Sequence, residues 1–106
     1  MVQYIKDLDD FRSKTSGTKP VIIDFTAAWC PPCKMIGPIF EGLSTQEENA
    51  GVEFYKVDVD EAADVAQECG IRAMPTFKVF RDGKEVDSMR GADVDGLQEL
   101  VSKYKA

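Results

Sequence analysis

Six residues, Val21-Ile22-Ile23-Asp24-Phe25-Thr26, limit the folds open to this chain more than any other stretch. Side chains alternate between faces along a strand, and this run is apolar on both of them. Such a strand is covered above and below, so it belongs at the centre of a layered sheet. Pro20 bounds it in front and Cys30-Pro31-Pro32 behind. Downstream, Ile36, Ile39, Phe40 and Leu43 recur at helical spacing, and Pro38 within that stretch predicts a kinked helix. Residues 52–59 read as the next strand. Asp60 is placed to cap a helix with Ala62, Val65, Ala66 and Cys69 on one face and Gly70 as its stop.

Two further strand-like runs, 76–80 and 84–89, flank Asp82-Gly83, a pair that favours a two-residue hairpin turn. Asp93 opens a last helix with Val94, Leu97, Val101 and Tyr104 on one side. At the front, residues 2–5 form a short strand, and Asp7 caps a helix carrying Leu8 and Phe11. The order is βαβαβαββα. It predicts an α/β fold, a central mixed sheet of about five strands flanked by four helices, with parallel units first and an antiparallel hairpin last. With 106 residues and no repeat or long linker, one domain over residues 1–106 is expected.

Charge and composition remove several classes of function. Thirteen Lys+Arg against nineteen Asp+Glu give a net charge of −6, which repels phosphate backbones and argues against nucleic-acid binding. No apolar run approaches the roughly 20 residues of a membrane span. There is no histidine, so the usual general base and the commonest metal ligand are missing. Three cysteines, Cys30, Cys33 and Cys69, are an odd count, and no secretory apolar stretch follows Met1. A reducing, cytoplasmic home is therefore expected.

The chemistry concentrates in Trp29-Cys30-Pro31-Pro32-Cys33. Two residues between cysteines at a helix start bring the sulfurs within disulfide reach. Cys30 falls at the N-cap, where unsatisfied backbone N–H groups and the helix dipole favour thiolate over thiol. It is expected at the exposed tip, as the nucleophile. Cys33, one turn deeper and shielded, is suited to resolve a mixed disulfide. Half of a zinc site is the alternative for such a pair. A structural zinc takes four ligands, and only Cys69, on the apolar face of its helix, could supply a third sulfur. No metal is expected.

The run Phe25-Thr26-Ala27-Ala28-Trp29-Cys30-Pro31-Pro32-Cys33-Lys34-Met35-Ile36, with Pro38 five residues after Cys33, resembles the active-site helix of the thioredoxins. Val57-Asp58-Val59-Asp60, Ala73-Met74-Pro75-Thr76-Phe77 and Arg90-Gly91-Ala92 follow in that family's order and spacing. The resemblance runs essentially from Val2 onward and implies the thioredoxin fold. It also implies a monomeric protein-disulfide reductase that needs no bound cofactor, because both electrons reside in the Cys30–Cys33 dithiol. Implied partners are an NADPH-dependent, flavin-containing thioredoxin reductase and disulfide-containing clients of the peroxiredoxin, methionine sulfoxide reductase or ribonucleotide reductase type. A disulfide oxidase or isomerase would use the same site in the other direction, and a binding module would use only its apolar surroundings.

One position departs from the family. Pro31 stands where glycine is usual, while Pro32 matches. Proline suits the first helical position. Neither proline has an N–H, which leaves the Cys33 amide as the nearest backbone donor for the Cys30 sulfur. A lost donor raises the Cys30 pKa and favours the disulfide. Rigidity of the pair opposes this or leaves it unchanged, so both directions of the potential stay open.

Supporting residues divide between structural and functional readings. Asp24 is costly to ionise in an apolar strand, so its pKa should be raised. It could hydrogen-bond a neighbouring loop; the resemblance implies a buried proton carrier that helps deprotonate Cys33. Lys56 shares a strand face with Val52 and Phe54. The resemblance implies a pairing with Asp24, against the reading of a snorkelling surface lysine. X–Pro bonds are mostly trans, yet the resemblance makes Met74-Pro75 a cis bond opposite the cysteines. That would free the Met74 backbone to pair with an extended substrate. Trp29, Ala73, Met74, Gly91 and Ala92 would form an uncharged contact patch, with Pro31, Pro32 and Pro75 as further substrate-binding residues. Cys69, Met35 and Met89 read as packing.

Overall fold

The computed structural model describes residues 2–105. The apolar run forms β2 (Val21–Thr26), and it occupies the middle of a five-stranded sheet ordered β1-β3-β2-β4-β5. β1 is Gln3–Tyr4, β3 Glu53–Asp58, β4 Thr76–Arg81 and β5 Lys84–Arg90. β2 runs parallel to β3 and antiparallel to β4, which pairs antiparallel with β5. Four α-helices accompany them: α1 (Leu8–Thr15), α2 (Pro31–Thr45), α3 (Ala63–Glu68) and α4 (Val94–Tyr104). This is the thioredoxin fold, in the element order expected from the chain.

The reason β2 is central lies in its two apolar faces. Ile22 packs with Phe77 and Val79 against Ile36, Phe40 and Leu43 of α2 and Leu97 and Leu100 of α4. Val21, Ile23 and Phe25 face the other way, against Phe11, Val65 and Phe80. Both layers exclude water from β2, whose first five residues are all buried. At roughly 25 cal/mol per Å² of apolar area, burial on this scale dominates the driving force for folding. The hairpin after β4 follows from its two turn residues. Asp82 and Gly83 have φ of 56° and 75°, the paired left-handed conformation of a type I′ turn.

Three details differ from the sequence reading. Asp60 does not cap α3. The Asp58 carboxylate accepts the amides of Asp60 and Glu61, folding a turn that delays the helix to Ala63, with Ala62 at its N-cap. β1 is shorter than 2–5, although the Ile5 amide still donates to the Lys56 carbonyl at 2.8 Å. A short 3₁₀ turn over Glu47–Asn49 follows α2, and buried Asn49 donates from Nδ2 to the Leu43 carbonyl at 2.9 Å. α2 continues through Pro38, whose ring nitrogen offers no hydrogen to the preceding turn.

Candidate active site

β2 ends where α2 begins, and that junction carries the cysteines. Cys30 is the N-cap of α2 in extended conformation, with Pro31 and Pro32 opening the helix. Cys30 and Cys33 form a disulfide with their Cα atoms 5.3 Å apart. The Cys33 amide donates to Cys30 Sγ at 3.3 Å, so the single backbone donor anticipated beside the proline pair is in place. An N-cap sulfur in this position meets the positive end of the helix, which stabilises negative charge on it.

Exposure differs from expectation. Cys30 is 4% exposed and Cys33 3%, so neither sulfur-bearing residue stands out as the accessible tip in the disulfide form. Cys30 packs beside Ala27 and Cys33, and Met74 covers it from the opposite loop. What projects instead is the surround: Trp29 is 64% exposed, and Pro31 and Pro32 are exposed as well. Trp29 is fixed by its Nε1–H, which donates to Asp60 Oδ2 at 2.9 Å. Asp60 is thus a site residue that the reading of the chain assigned to a helix cap. No periodicity signals it, because Asp60 lies beyond the end of β3, exposed in the turn that Asp58 folds.

The Met74–Pro75 bond is cis. The Met74 carbonyl oxygen lies 3.8 Å from Cys30 Sγ, which places this loop directly across from the disulfide. Pro75 is tied down through its carbonyl, which accepts the Gly91 amide at 2.9 Å. Gly91 adopts φ +94°, a conformation that side chains disfavour, so glycine is required there. Among the described residues, no backbone group engages the Met74 amide or carbonyl, and the carbonyl meets only Cys30 Sγ. Ala73, Met74, Gly91 and Ala92 are all half-buried around this point, and with Trp29 and the two prolines they make an uncharged rim.

Asp24 lies on the β2 face that also carries Ile22 under α2 and Thr26 at the cleft beside Cys33. It is 1% exposed, and its Oδ1 has no hydrogen-bond partner. Burial pushes its pKa up to about 7, with the Lys56 charge acting in the opposite direction. Lys56 is its neighbour in the parallel ladder, but the expected ion pair between them does not form. The ammonium instead lies 3.6 Å from Glu41 Oε2, because α2 brings that carboxylate over the strand. Cys33, Lys56, Glu41, Tyr4, Thr26 and Asp58 line one cleft of about 580 Å³.

Cys69 belongs to the opposite layer, against the cluster that includes Ile5 and Val65. Burial raises its thiol to about 11, so it is a poor nucleophile. Among the described residues no group of three or more His, Cys, Asp or Glu is arranged to hold a metal ion.

A disulfide at the N-terminus of the helix after the central strand, faced by a cis-proline loop, defines a thiol–disulfide oxidoreductase. The thioredoxin family model matches residues 2–103, and the chain belongs to the thioredoxin family. It is 51% identical to the thioredoxin of Malassezia sympodialis over 105 residues, covering 99% of this chain and all of that protein. It is 48% identical to the thioredoxin of Coprinus comatus over the full length of both. A crystal structure of the Malassezia sympodialis thioredoxin superposes with a TM-score of 0.96 over 99% of this chain and 94% of that one. A further solved structure, 34% identical with a TM-score of 0.88 over 96% and 94% of the two chains, concerns thiol resolution in a yeast mitochondrial 1-Cys peroxiredoxin via glutathione/thioredoxin systems.

Proposed function

We propose that this protein, as one thioredoxin domain over its 106 residues, is a protein-disulfide reductase in general redox homeostasis. The observation that carries the reading is the Cys30 sulfur at the α2 N-cap, held by the Cys33 amide and facing the free Met74 backbone. In the reduced protein the Cys30 thiolate attacks one sulfur of a client disulfide and expels the other as a thiolate, giving a mixed disulfide. The Cys33 thiol then transfers its proton to ionised Asp24, directly or through water. Its sulfur attacks Cys30 Sγ and releases the second client sulfur. The client gains two electrons and the protein is left with the Cys30–Cys33 disulfide. Lys56 tunes the proton step: from its place against Glu41 its charge offsets part of the rise that burial causes at Asp24.

Substrate binding falls to Trp29, Pro31, Pro32, Ala73, Met74, Pro75, Gly91 and Ala92. An extended client segment pairs with the Met74 amide and carbonyl, a short strand addition. An NADPH-dependent thioredoxin reductase returns the disulfide to the dithiol. The yeast relative's link to a peroxiredoxin supports clients of that type, with methionine sulfoxide reductase and ribonucleotide reductase as further candidates. The cytoplasm is the proposed location, and the protein is proposed to act as a monomer. No helix among the described residues is long and apolar enough to cross a membrane.

Insulin reduction by dithiothreitol tests the activity. The protein is expected to accelerate chain separation, and NADPH with a thioredoxin reductase should replace dithiothreitol as the electron source. No acceleration by the wild-type protein would contradict the reductase reading.

A further inference from the structure

Lys56 stands opposite Asp24 in the β2–β3 ladder, yet its ammonium is engaged elsewhere. Nζ lies 3.6 Å from Glu41 Oε2 and 5.9 Å from the centre of the Tyr4 ring. Glu41 is itself held from two directions, because its Oε1 accepts the Val2 amide at 3.0 Å. Gly37, one turn earlier on α2, borders the ammonium: a Cβ there would meet Nζ at 3.8 Å, an ordinary contact. The Lys56 side chain is only 13% exposed, so solvent screens its charge weakly. Two carboxyl groups therefore compete for one poorly screened cation. Glu41 holds it, and Asp24 Oδ1 is left without a partner.

We propose that Glu41 is a positioning residue for the dithiol reaction, holding the Lys56 ammonium off the Asp24 carboxyl so that Asp24 can exchange a proton with Cys33. The inference rests on the proton-carrier reading of Asp24. A lysine released from Glu41 would approach Asp24, donate a charge-assisted hydrogen bond to it and favour its ionised form. The carboxylate would then accept the Cys33 proton less readily. Other groups around the site do not substitute for this arrangement. β4 pairs Phe77 with Asp24, and the α4 residues in the same core layer (Leu97, Leu100 and Val101) are apolar. Lys34 and Asp58 line the cleft with Cys33, and Tyr4 of β1 lies against Lys56.

The test follows the Asp24 carboxyl by carbon NMR in oxidised full-length protein, comparing wild type, Glu41→Gln, Lys56→Met and the double variant. Glutamine keeps an oxygen for the Val2 amide, so the strand contact is preserved. Glu41→Gln is expected to lower the Asp24 midpoint by about half a pH unit or more, roughly threefold or more in proton affinity. In the Lys56→Met background the same substitution is expected to move nothing. The pH profile of mixed-disulfide resolution in the reduced proteins should shift in the same direction as the NMR midpoint. No fall with Glu41→Gln would overturn the proposal, as would an equal fall without Lys56, which would mean that Glu41 acts by its own charge. If Asp24→Asn leaves the resolution profile unchanged, the proton-carrier reading fails, and the NMR midpoints still decide whether Glu41 positions Lys56.

Discussion

Reduced protein carrying Cys33→Ser, mixed with a disulfide-bonded client, is expected to stop at a covalent adduct through Cys30, approaching full occupancy. Cys30→Ser is expected to form none. The difference follows from the order of the two displacements. The first needs only the N-cap sulfur, whose negative charge the helix end and the Cys33 amide stabilise. The second needs a sulfur one turn deeper, and the pair's Cα separation of 5.3 Å places it within bonding reach. A serine hydroxyl at position 33 keeps the size of the group but remains protonated and cannot displace a thiolate. Turnover should fall to background in both variants, so adduct formation separates their roles. Non-reducing electrophoresis with mass analysis of the adduct provides the readout. Trapping through position 33 in Cys30→Ser would reverse the assignment.

Asp24→Asn is expected to stabilise the oxidised protein at high pH while slowing its chemistry. Burial holds the folded carboxyl at about 7, well above the value near 3.9 of an aspartate in an unfolded chain. Between those values the folded protein keeps a proton that the unfolded chain has released. The neutral group's contribution is therefore complete below about pH 4 and is lost as pH rises through about 7. Above that point the wild type carries a buried, poorly solvated carboxylate, a cost on the order of 4 kcal/mol by the linkage relation. Asparagine does not titrate, so its advantage over the wild type should appear between pH 4 and 8 and vanish below. Urea denaturation across that range measures it. The resolving step at neutral pH should slow by about 10²-fold, the usual scale for a lost proton carrier. A stability difference that does not change with pH would rule out a buried titrating carboxyl.

Much of this architecture could be read from residue order because local and tertiary preferences agree. Val21–Thr26 has no polar face to turn toward water, so it could only be central. Asp82-Gly83 required the positive φ values that the hairpin shows. The cysteine pair was legible for a similar reason: an N-cap and two prolines define the helix start, and the spacing defines the bond. The reading failed where a side chain had a choice of partners. Asp60 has the right chemistry for a cap, but Asp58 captured the amides first and Asp60 went to Trp29. Lys56 has the right register for Asp24, but α2 supplied a second carboxylate that no local pattern reveals. Cys30 was expected to protrude because it begins a helix, and the packing of Ala27, Cys33, Val59 and the Met74 loop buries it. Such competitions are settled by long-range packing, which strand and helix periodicity does not encode.

The proposed chemistry depends on a stabilised thiolate at the head of α2, and its ionisation can be followed directly. Reduced protein is alkylated with iodoacetamide from pH 5 to 10, with the modified cysteine identified by peptide mapping. The expected result is selective modification of Cys30, with a rate midpoint clearly below the value near 8.5 of a free cysteine. A midpoint at or above that value would contradict the whole scheme.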